Sequence, residues 1–205
     1  MEHYRFSEKH RELLGFIQTE PVLHSLLFQM KIHHLPTYQH ILRATLVVED
    51  LAERLGFNPE KCYLGKMGMI LHDMGKLRVP SRILDAIVRP VGEDWGLMRS
   101  HVAFTRDILL ESGIKNRDMM YIALAHHEFQ TESYPRQERK AWVHEERRSV
   151  TSQINDLAEL VVVSDKLDAS LYRKDQQNTL TPREKILRDF TGNSDLVTEV
   201  MRYAA

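Results

Sequence analysis

Apolar residues recur along this chain at three- and four-residue spacing, and no stretch alternates cleanly between apolar and polar residues. The segment from Thr37 to Leu55 shows the pattern best, with an apolar stripe that includes Ile41, Ala44, Val48 and Leu51. Spacing near 3.6 residues indicates an amphipathic helix, whereas strict alternation indicates a strand. The sequence therefore predicts an all-α fold, and its 205 residues suit one compact helical domain.

Residues that favour helix ends divide the pattern into separate helices. Gly56 stands where a helix ends in a left-handed residue, and Asn58-Pro59 begins a second helix that runs to about His72. Thr181 and Glu184 form a capping box around Pro182. Further helices are predicted over Ser7–Glu20, Pro21–His33, Arg82–Val88, Asp94–Ser112, Arg117–His127 and from Thr151 to about Tyr172. The charged segment Glu128–Ser149 is the weakest helical region, and a loop of that length is often functional.

Charge and cysteine content narrow the function classes. The 28 Lys and Arg residues nearly balance the 29 Asp and Glu residues, which argues against a binder of polymeric nucleic acid or of membrane surfaces. Cys62 is the single cysteine, so no internal disulfide can form and a reducing cytosol fits best. No leader follows Met1, and no apolar run reaches the roughly 20 residues that span a bilayer. We expect a cytoplasmic protein.

The sharpest local motif is Leu71-His72-Asp73-Met74-Gly75-Lys76, at the end of an apolar helix. His72 and Asp73 offer an imidazole nitrogen and a carboxylate oxygen, the ligand types for Zn, Mn, Fe or Ni. Lys76 is a compact cation that suits a phosphate. Alone, such a pair is more often a structural helix end than a metal site.

Other potential ligands accompany this pair at or near helix ends: His40, His101, His126, His127, Asp165 and Asp168. Adjacent helical residues point about 100° apart, so one ion is poorly served by both His72 and Asp73. Two ions that share a carboxylate are served well. Burying these groups without partners would be costly, and a metal cluster supplies the partners.

The set resembles the HD-domain metal-dependent phosphohydrolases, and within them the HD-GYP branch, over about Thr37 to Arg173. The resemblance implies an all-helical fold, a site of two or three metal ions and hydrolysis of phosphoester bonds, with cyclic di-GMP as the best-known HD-GYP substrate. The segments that carry it are Thr37–Arg43, Leu71–Lys76, Leu77–Leu84, Trp95–His101, His126–Glu128 and Ser164–Ala169.

When the family's site is carried over residue by residue, the resemblance implies two metal ions joined by Asp73. These ions could be Fe, Mn, Ni or Zn. Two such ions can bridge and orient a hydroxide for attack on phosphorus. The implied ligands are His40, His72, Asp73 and Asp165 for one ion, with His101, His126, His127 and Asp73 for the other. Asp73 and Lys76 are the implied catalytic residues. The implied substrate-binding residues are Lys76, Tyr134, Pro135, Asp168 and Arg173.

The chain departs from the branch where a dinucleotide would be held. Ser133-Tyr134-Pro135 stands in place of Gly-Tyr-Pro, and Ser170-Leu171-Tyr172-Arg173 stands in place of the branch's Arg-Pro-Tyr-Arg stretch. Ser133 cannot reproduce all the backbone conformations open to glycine. Pro36 stands where three-metal members place a Glu, so we expect two ions.

We therefore expect a phosphodiesterase acting on a cyclic dinucleotide such as cyclic di-GMP, or on a related small phosphoester. The alternatives are a nucleotide phosphomonoesterase and a catalytically impaired HD-GYP-like module that binds and signals. The predicted organisation is an N-terminal helical extension over 1–36, the HD domain over 37–175 and C-terminal helices over 176–205 that pack on the same domain. The extension is long enough for a helical cap or a homodimer contact.

Overall fold

The computed structural model describes residues 2–88, 90–132, 152–172 and 180–204. These residues form α-helices without any β-strand, which confirms the predicted all-α class. In chain order the helices are α1 (Glu2–Thr19), α2 (Pro21–His33), α3 (Leu35–Arg54), α4 (Pro59–Leu71), α5 (Ser81–Leu84), α6 (Gly92–Arg99), α7 (His101–Glu111), α8 (Arg117–Leu124), α9 (Ser152–Tyr172), α10 (Pro182–Asp189) and α11 (Ser194–Ala204).

The predicted helix ends are formed as their residue types require. The side chains of Asn58 and Asn116 accept hydrogen bonds from the backbone N–H groups of Lys61 and Met119, each at 2.9 Å. Thr181 and Glu184 form the reciprocal capping box. Gly56 ends α3 with a φ of 76°, a conformation that favours glycine.

Helix α9 occupies the centre of the bundle and packs against α3, α4, α8, α10 and α11. Residues 160–164 are fully buried, so this helix has no solvated face in its middle. That burial explains its run of Leu160 and three valines, because a helix surrounded by others is apolar all round. One hydrophobic cluster extends from Leu13 in α1 to Val200 in α11.

Several predicted helices differ from the structure: α1 begins at Glu2 rather than Ser7, and the helix expected over Arg117–His127 ends at Leu124, before a 3₁₀ turn. The helix expected over Asp94–Ser112 is divided at Ser100 into α6 and α7, which makes His101 the first residue of a new helix. The helix expected over Arg82–Val88 ends at Leu84. Ile87 and Val88 beyond it are 92% and 79% exposed, so no burial of apolar surface extends this helix.

The N-terminal helices pack on the same body. His33, the last residue of α2, hydrogen bonds through Nε2 to the backbone oxygen of Val79 at 2.9 Å. His34 accepts a hydrogen bond from the backbone N–H of Thr37 and so caps α3. Within the described part of the chain, no helix is both long enough and apolar enough to cross a bilayer.

Candidate metal centre

The predicted ligands come from several helices and turns that meet at one place. His40 lies in α3, and His72 and Asp73 directly follow α4. His101 is the first residue of α7, His126 and His127 form a 3₁₀ turn after α8, and Asp165 lies in α9. The fold therefore brings together all seven residues that the sequence nominates as ligands.

The first group, which we call half-site A, comprises His40, His72, Asp165 and the Oδ2 atom of Asp73. The Nε2 atom of His40 lies 3.1 Å from Oδ1 of Asp165 and 3.4 Å from Nε2 of His72. The Nε2 atom of His72 lies 3.3 Å from Oδ2 of Asp73. All these donor atoms thus face one small volume.

The second group, which we call half-site B, comprises His101, His126, His127 and the Oδ1 atom of Asp73. The Nε2 atoms of His101 and His126 are 3.0 Å apart. His127 completes the group, and the three histidines each offer a nitrogen within 4.8 Å of the others. Three imidazoles with this spacing can hold one divalent ion.

Asp73 stands between the two half-sites and offers one oxygen to each. Oδ2 faces His72, while Oδ1 lies 3.5 Å from Nε2 of His101 and 3.8 Å from Nε2 of His126. The residue is 1% exposed. Lys76 donates a hydrogen bond from Nζ to Oδ2, so the ammonium group lies at the edge of half-site A.

Three of the histidines are oriented by their own backbone. The Nδ1 atoms of His72, His101 and His126 hydrogen bond to the carbonyl oxygens three residues earlier, at 2.7, 2.6 and 2.7 Å. A carbonyl can only accept, so Nδ1 carries the proton and Nε2 keeps its lone pair. Each ring thus presents Nε2 as a ligand atom.

The turn after α4 fits only because residue 75 is glycine. A Cβ atom added there would lie 1.8 Å from the backbone oxygen of His101. The backbone N–H of Gly75 donates to Oγ1 of Thr105 at 2.8 Å, and that hydroxyl donates to the carbonyl of His72 at 3.1 Å. These contacts fix the distance between the turn and α7, and with it the distance between the half-sites.

Ionisation differs between the acidic and basic members of the centre. Burial favours a neutral carboxyl, yet the surrounding histidines together with Lys76 hold the pKa of Asp73 well below its usual value. Burial likewise opposes ionisation of Asp165, but hydrogen bonding to His40 keeps the pKa of Asp165 well below its usual value. Both carboxylates are therefore charged at neutral pH.

The histidines of half-site B are neutral at pH 7. Burial lowers the pKa of His101 to about 4 and holds the pKa values of His126 and His127 well below the usual value. In half-site A, burial also lowers the pKa of His40, but hydrogen bonds with Asp165 and Asp168 outweigh it and raise the pKa to about 9.

The residues present fit a pair of divalent cations. Neutral imidazoles and ionised carboxylates are the forms that bind metals, and nitrogen–oxygen donor sets suit transition ions. Buried carboxylates require a positive partner. Asp73, Asp165 and five facing imidazole rings gather in one place, which a structural helix end would not require.

The remaining predicted residues lie elsewhere or outside the described chain. Asp168 is 4% exposed and binds His40 and Arg43, so both its oxygens are engaged behind half-site A. We propose a positioning role for it in place of the predicted substrate contact. Tyr134, Pro135 and Arg173 lie outside the described residues, as does Ser133.

Arg43 and Thr105 also support the site, and neither was predicted to do so. Arg43 stands three residues after His40, one helical turn along the same face, which is a signal that could have found it. Thr105 stands four residues after His101, but only the structure shows that its hydroxyl meets the turn at Gly75.

Comparisons with known proteins agree with this geometry. The HD domain profile matches residues 37–170, which is well over half of the chain. The chain is 34% identical over 95 residues to the 3'3'-cGAMP-specific phosphodiesterase 2 of Vibrio cholerae. It is 33% identical over 97 residues to the cyclic di-GMP phosphodiesterase response regulator RpfG of Xanthomonas campestris pv. campestris.

The two alignments each cover 45% of this chain but only 18% and 25% of those relatives. Among solved structures, the HD domain of the L. monocytogenes phosphodiesterase PgpH in complex with cyclic-di-AMP matches with a TM-score of 0.52 and 18% identity, over 87% of this chain and 82% of that one. A second structure of the PgpH HD domain gives 0.54. At this identity the likeness concerns the fold.

Proposed function

The chain belongs to the HD-domain family, and we propose that it is a metal-dependent phosphodiesterase that hydrolyses a cyclic dinucleotide. The observation that carries the proposal is the position of Asp73, whose two oxygens face two separate sets of histidines. Both curated relatives named above are phosphodiesterases of cyclic dinucleotides. The chain spans about a fifth to a quarter of their length. Their activity therefore supports the proposal, but it is not by itself an activity of this chain.

We propose that half-site A and half-site B each hold one divalent ion, with Asp73 shared between them. Such a pair of ions supplies Lewis-acid stabilisation of the charge that develops on phosphorus, together with activation of the attacking water. The neutral imidazoles of half-site B provide lone pairs without loss of a proton. The carboxylates of Asp73 and Asp165 supply the negative charge that holds the ions.

Lys76 is the residue that we propose meets the substrate phosphate. Its Nζ atom lies against Oδ2 of Asp73, at the edge of the metal centre, and the side chain is only 10% exposed. A phosphate bound to the two ions would lie within reach of this ammonium group. The charge of Lys76 would then offset the charge of the phosphoryl oxygens as the bond to the leaving oxygen breaks.

Cyclic di-GMP is the substrate that we propose first. The three phosphodiesterases matched above are named for, or bound to, three different cyclic dinucleotides, so other members of this class belong in the same test. The altered Ser133-Tyr134-Pro135 motif, where the HD-GYP branch has Gly-Tyr-Pro, favours nucleotide monophosphates as the second candidate class.

The proposed domain organisation keeps the boundaries 1–36, 37–175 and 176–205. The start of the family match at residue 37 supports the first boundary. We also propose a cytoplasmic location, supported by the single cysteine, Cys62, which is free.

Metal analysis combined with turnover assays tests the proposal. Protein stripped with EDTA and then reloaded with Mn²⁺ or Fe²⁺ is expected to bind two ions per chain and to linearise cyclic di-GMP, while the stripped protein is inactive. Cyclic di-AMP, 3'3'-cGAMP, the linear dinucleotides and nucleoside monophosphates complete the substrate panel. Turnover of monophosphates alone would favour the phosphomonoesterase. Two bound ions without any turnover would favour a binding module.

A further inference from the structure

Of the two histidines in half-site A, only His40 has an Nδ1 atom that contacts a side chain rather than a backbone carbonyl. Its Nδ1 atom lies 2.7 Å from Oδ2 of Asp168, whereas Nδ1 of His72 meets the carbonyl of Met69. The orientation of the His72 ring is therefore set by its own turn. The orientation of the His40 ring depends on one carboxylate from another helix, 128 residues away.

Asp168 is itself held in a fixed position. The Nε and Nη2 atoms of Arg43 donate to its two oxygens at 2.7 and 2.9 Å, a bidentate pair that fixes the plane of the carboxylate. The guanidinium group of Arg43 lies 4.0 Å from the centre of the Tyr172 ring. Asp168 is buried, while the side chain of Arg43 is 28% exposed.

These contacts join α3 to α9 through two pairs of residues, each one helical turn apart. His40 and Arg43 are three residues apart on α3, and Asp168 and Tyr172 are four residues apart on α9. Each pair thus lies on one helix face, and the two faces meet. The arrangement connects the exposed ring of Tyr172 to Nδ1 of His40, whose Nε2 atom faces half-site A.

We propose that Asp168 and Arg43 are positioning residues for the ion of half-site A. The carboxylate of Asp168 accepts the Nδ1–H of His40, so an ion that displaces the proton from Nε2 meets a lone pair that this hydrogen bond strengthens as a donor. Arg43 keeps that carboxylate correctly oriented through its two hydrogen bonds. This inference deepens the proposed two-metal function and rests on it.

An ordinary ion pair between α3 and α9 would have a different consequence. It would stabilise the fold, so its loss would lower the stability of the metal-free protein. The affinity for one ion would not fall more than the affinity for the other. A positioning role instead predicts a selective loss of affinity at half-site A, about 10–100-fold for removal of a partner behind a ligating histidine. The affinity of half-site B would not change.

The test is a Mn²⁺ titration of the full chain, followed by metal analysis and by electron paramagnetic resonance, which separates an isolated Mn²⁺ ion from an exchange-coupled pair. Asp168→Asn keeps the shape of the side chain and removes its charge. We expect it to weaken one of the two binding steps about 10–100-fold and to show an isolated ion at Mn²⁺ concentrations where the wild type shows the coupled pair. Arg43→Gln is expected to weaken the same step by a smaller factor.

Two further backgrounds assign the effect to His40. In His101→Ala, which leaves half-site A, Asp168→Asn should produce its full loss of affinity. In His40→Ala, which leaves half-site B, Asp168→Asn should produce none, because the ring on which it acts is gone. The matched control is Asp50→Asn, another buried aspartate, on α3 and paired with Lys9 and Arg54, about 15 Å along the helix from His40.

The outcomes separate the two claims. If the wild type binds two ions and Asp168→Asn binds both as tightly, this inference is wrong and the proposed function stands. An equal loss of affinity in the His40→Ala background would show a merely structural role and also overturn the inference. If the wild type binds no Mn²⁺ at all, the proposed function fails and the inference fails with it. The unfolding temperature of each metal-free variant controls for folding.

Discussion

The two half-sites of the candidate metal centre are built in different ways. Half-site B takes its histidines from residues 101–127, at the first turn of α7 and the turn after α8, where backbone carbonyls orient the rings of His101 and His126. Half-site A joins His40 and Asp165, 125 residues apart in the middle of two long helices. Half-site B therefore depends on local turns, while half-site A depends on how α3 packs against α9.

The half-sites also differ in charge. Half-site A contains two carboxylates, and a third supports His40 from behind. Half-site B contains three imidazoles that burial keeps neutral and shares only the Oδ1 atom of Asp73. The difference shows that one centre can combine a charged and a nearly neutral ligand set, provided that one carboxylate serves both.

The largest effect should come from the residue that the half-sites share. Asp73→Asn is expected to remove both ions, because the amide offers one neutral oxygen where two charged ones stood. Loss of metal-ion stabilisation worth several kcal/mol corresponds to a fall in kcat of roughly 10³-fold or more. Metal analysis and initial rates check this. A variant that keeps two ions would contradict the sharing of Asp73.

The next effect concerns the edge of half-site A. Lys76→Gln is expected to lower kcat about 10²-fold. Removing one donor that stabilises charge in a transition state typically has an effect of this size. The ions should remain, because Lys76 is not a ligand. Steady-state kinetics with metal analysis of the same sample check this, and a variant with unchanged kcat would exclude Lys76 from the reaction.

A change in the turn between the half-sites should act through packing. Gly75→Ala places a Cβ atom against the backbone oxygen of His101, where the neighbouring backbone cannot yield easily. We expect a loss of about 3 kcal/mol in the free energy of unfolding, measured in urea on metal-free protein.

Gly96→Ala in α6 is the matched control for this change. A Cβ atom at residue 96 meets nothing within 4 Å, so alanine should stabilise the helix by roughly 0.5–1 kcal/mol. Equal effects of the two substitutions would show that the close approach at Gly75 does not constrain the turn.

The smallest effect distinguishes the half-sites by protonation in the metal-free protein. With a pKa raised to about 9, His40 binds its proton more tightly folded than unfolded, so its contribution to stability is present below pH 6.5 and lost as pH rises through 9. The pKa of His101 is lowered to about 4, so its contribution to the stability of the fold is present above pH 6.5 and is lost as pH falls through 4. Histidine NMR titration checks both, and coincident midpoints near 6.5 would contradict the contrast.

The sequence predicted the parts of the fold that local chemistry determines. Asn58, Asn116 and Thr181 cap helices because their side chains reach backbone N–H groups within one turn. The break at Ser100 was not predicted, since apolar spacing continues across it and no glycine or proline marks it. Beyond the break, α7 packs against the turn at Gly75, a tertiary contact that apolar spacing does not reveal.

The same distinction applies to the candidate site. Residue types and the family resemblance nominated the seven residues that the structure brings together, because ligand chemistry is visible in single residues. The support around them was not visible. That Asp168 lies behind His40, and that Arg43 fixes it, depends on the rotation of α9 relative to α3.

Anomalous diffraction from crystals of the Mn²⁺-loaded protein, recorded at the manganese edge, tests the shared-carboxylate arrangement most directly. We predict two peaks about 3.5–4 Å apart, one beside His40, His72 and Asp165 and the other beside His101, His126 and His127, with one Asp73 oxygen directed at each. A single peak, or two peaks that Asp73 does not join, would contradict it.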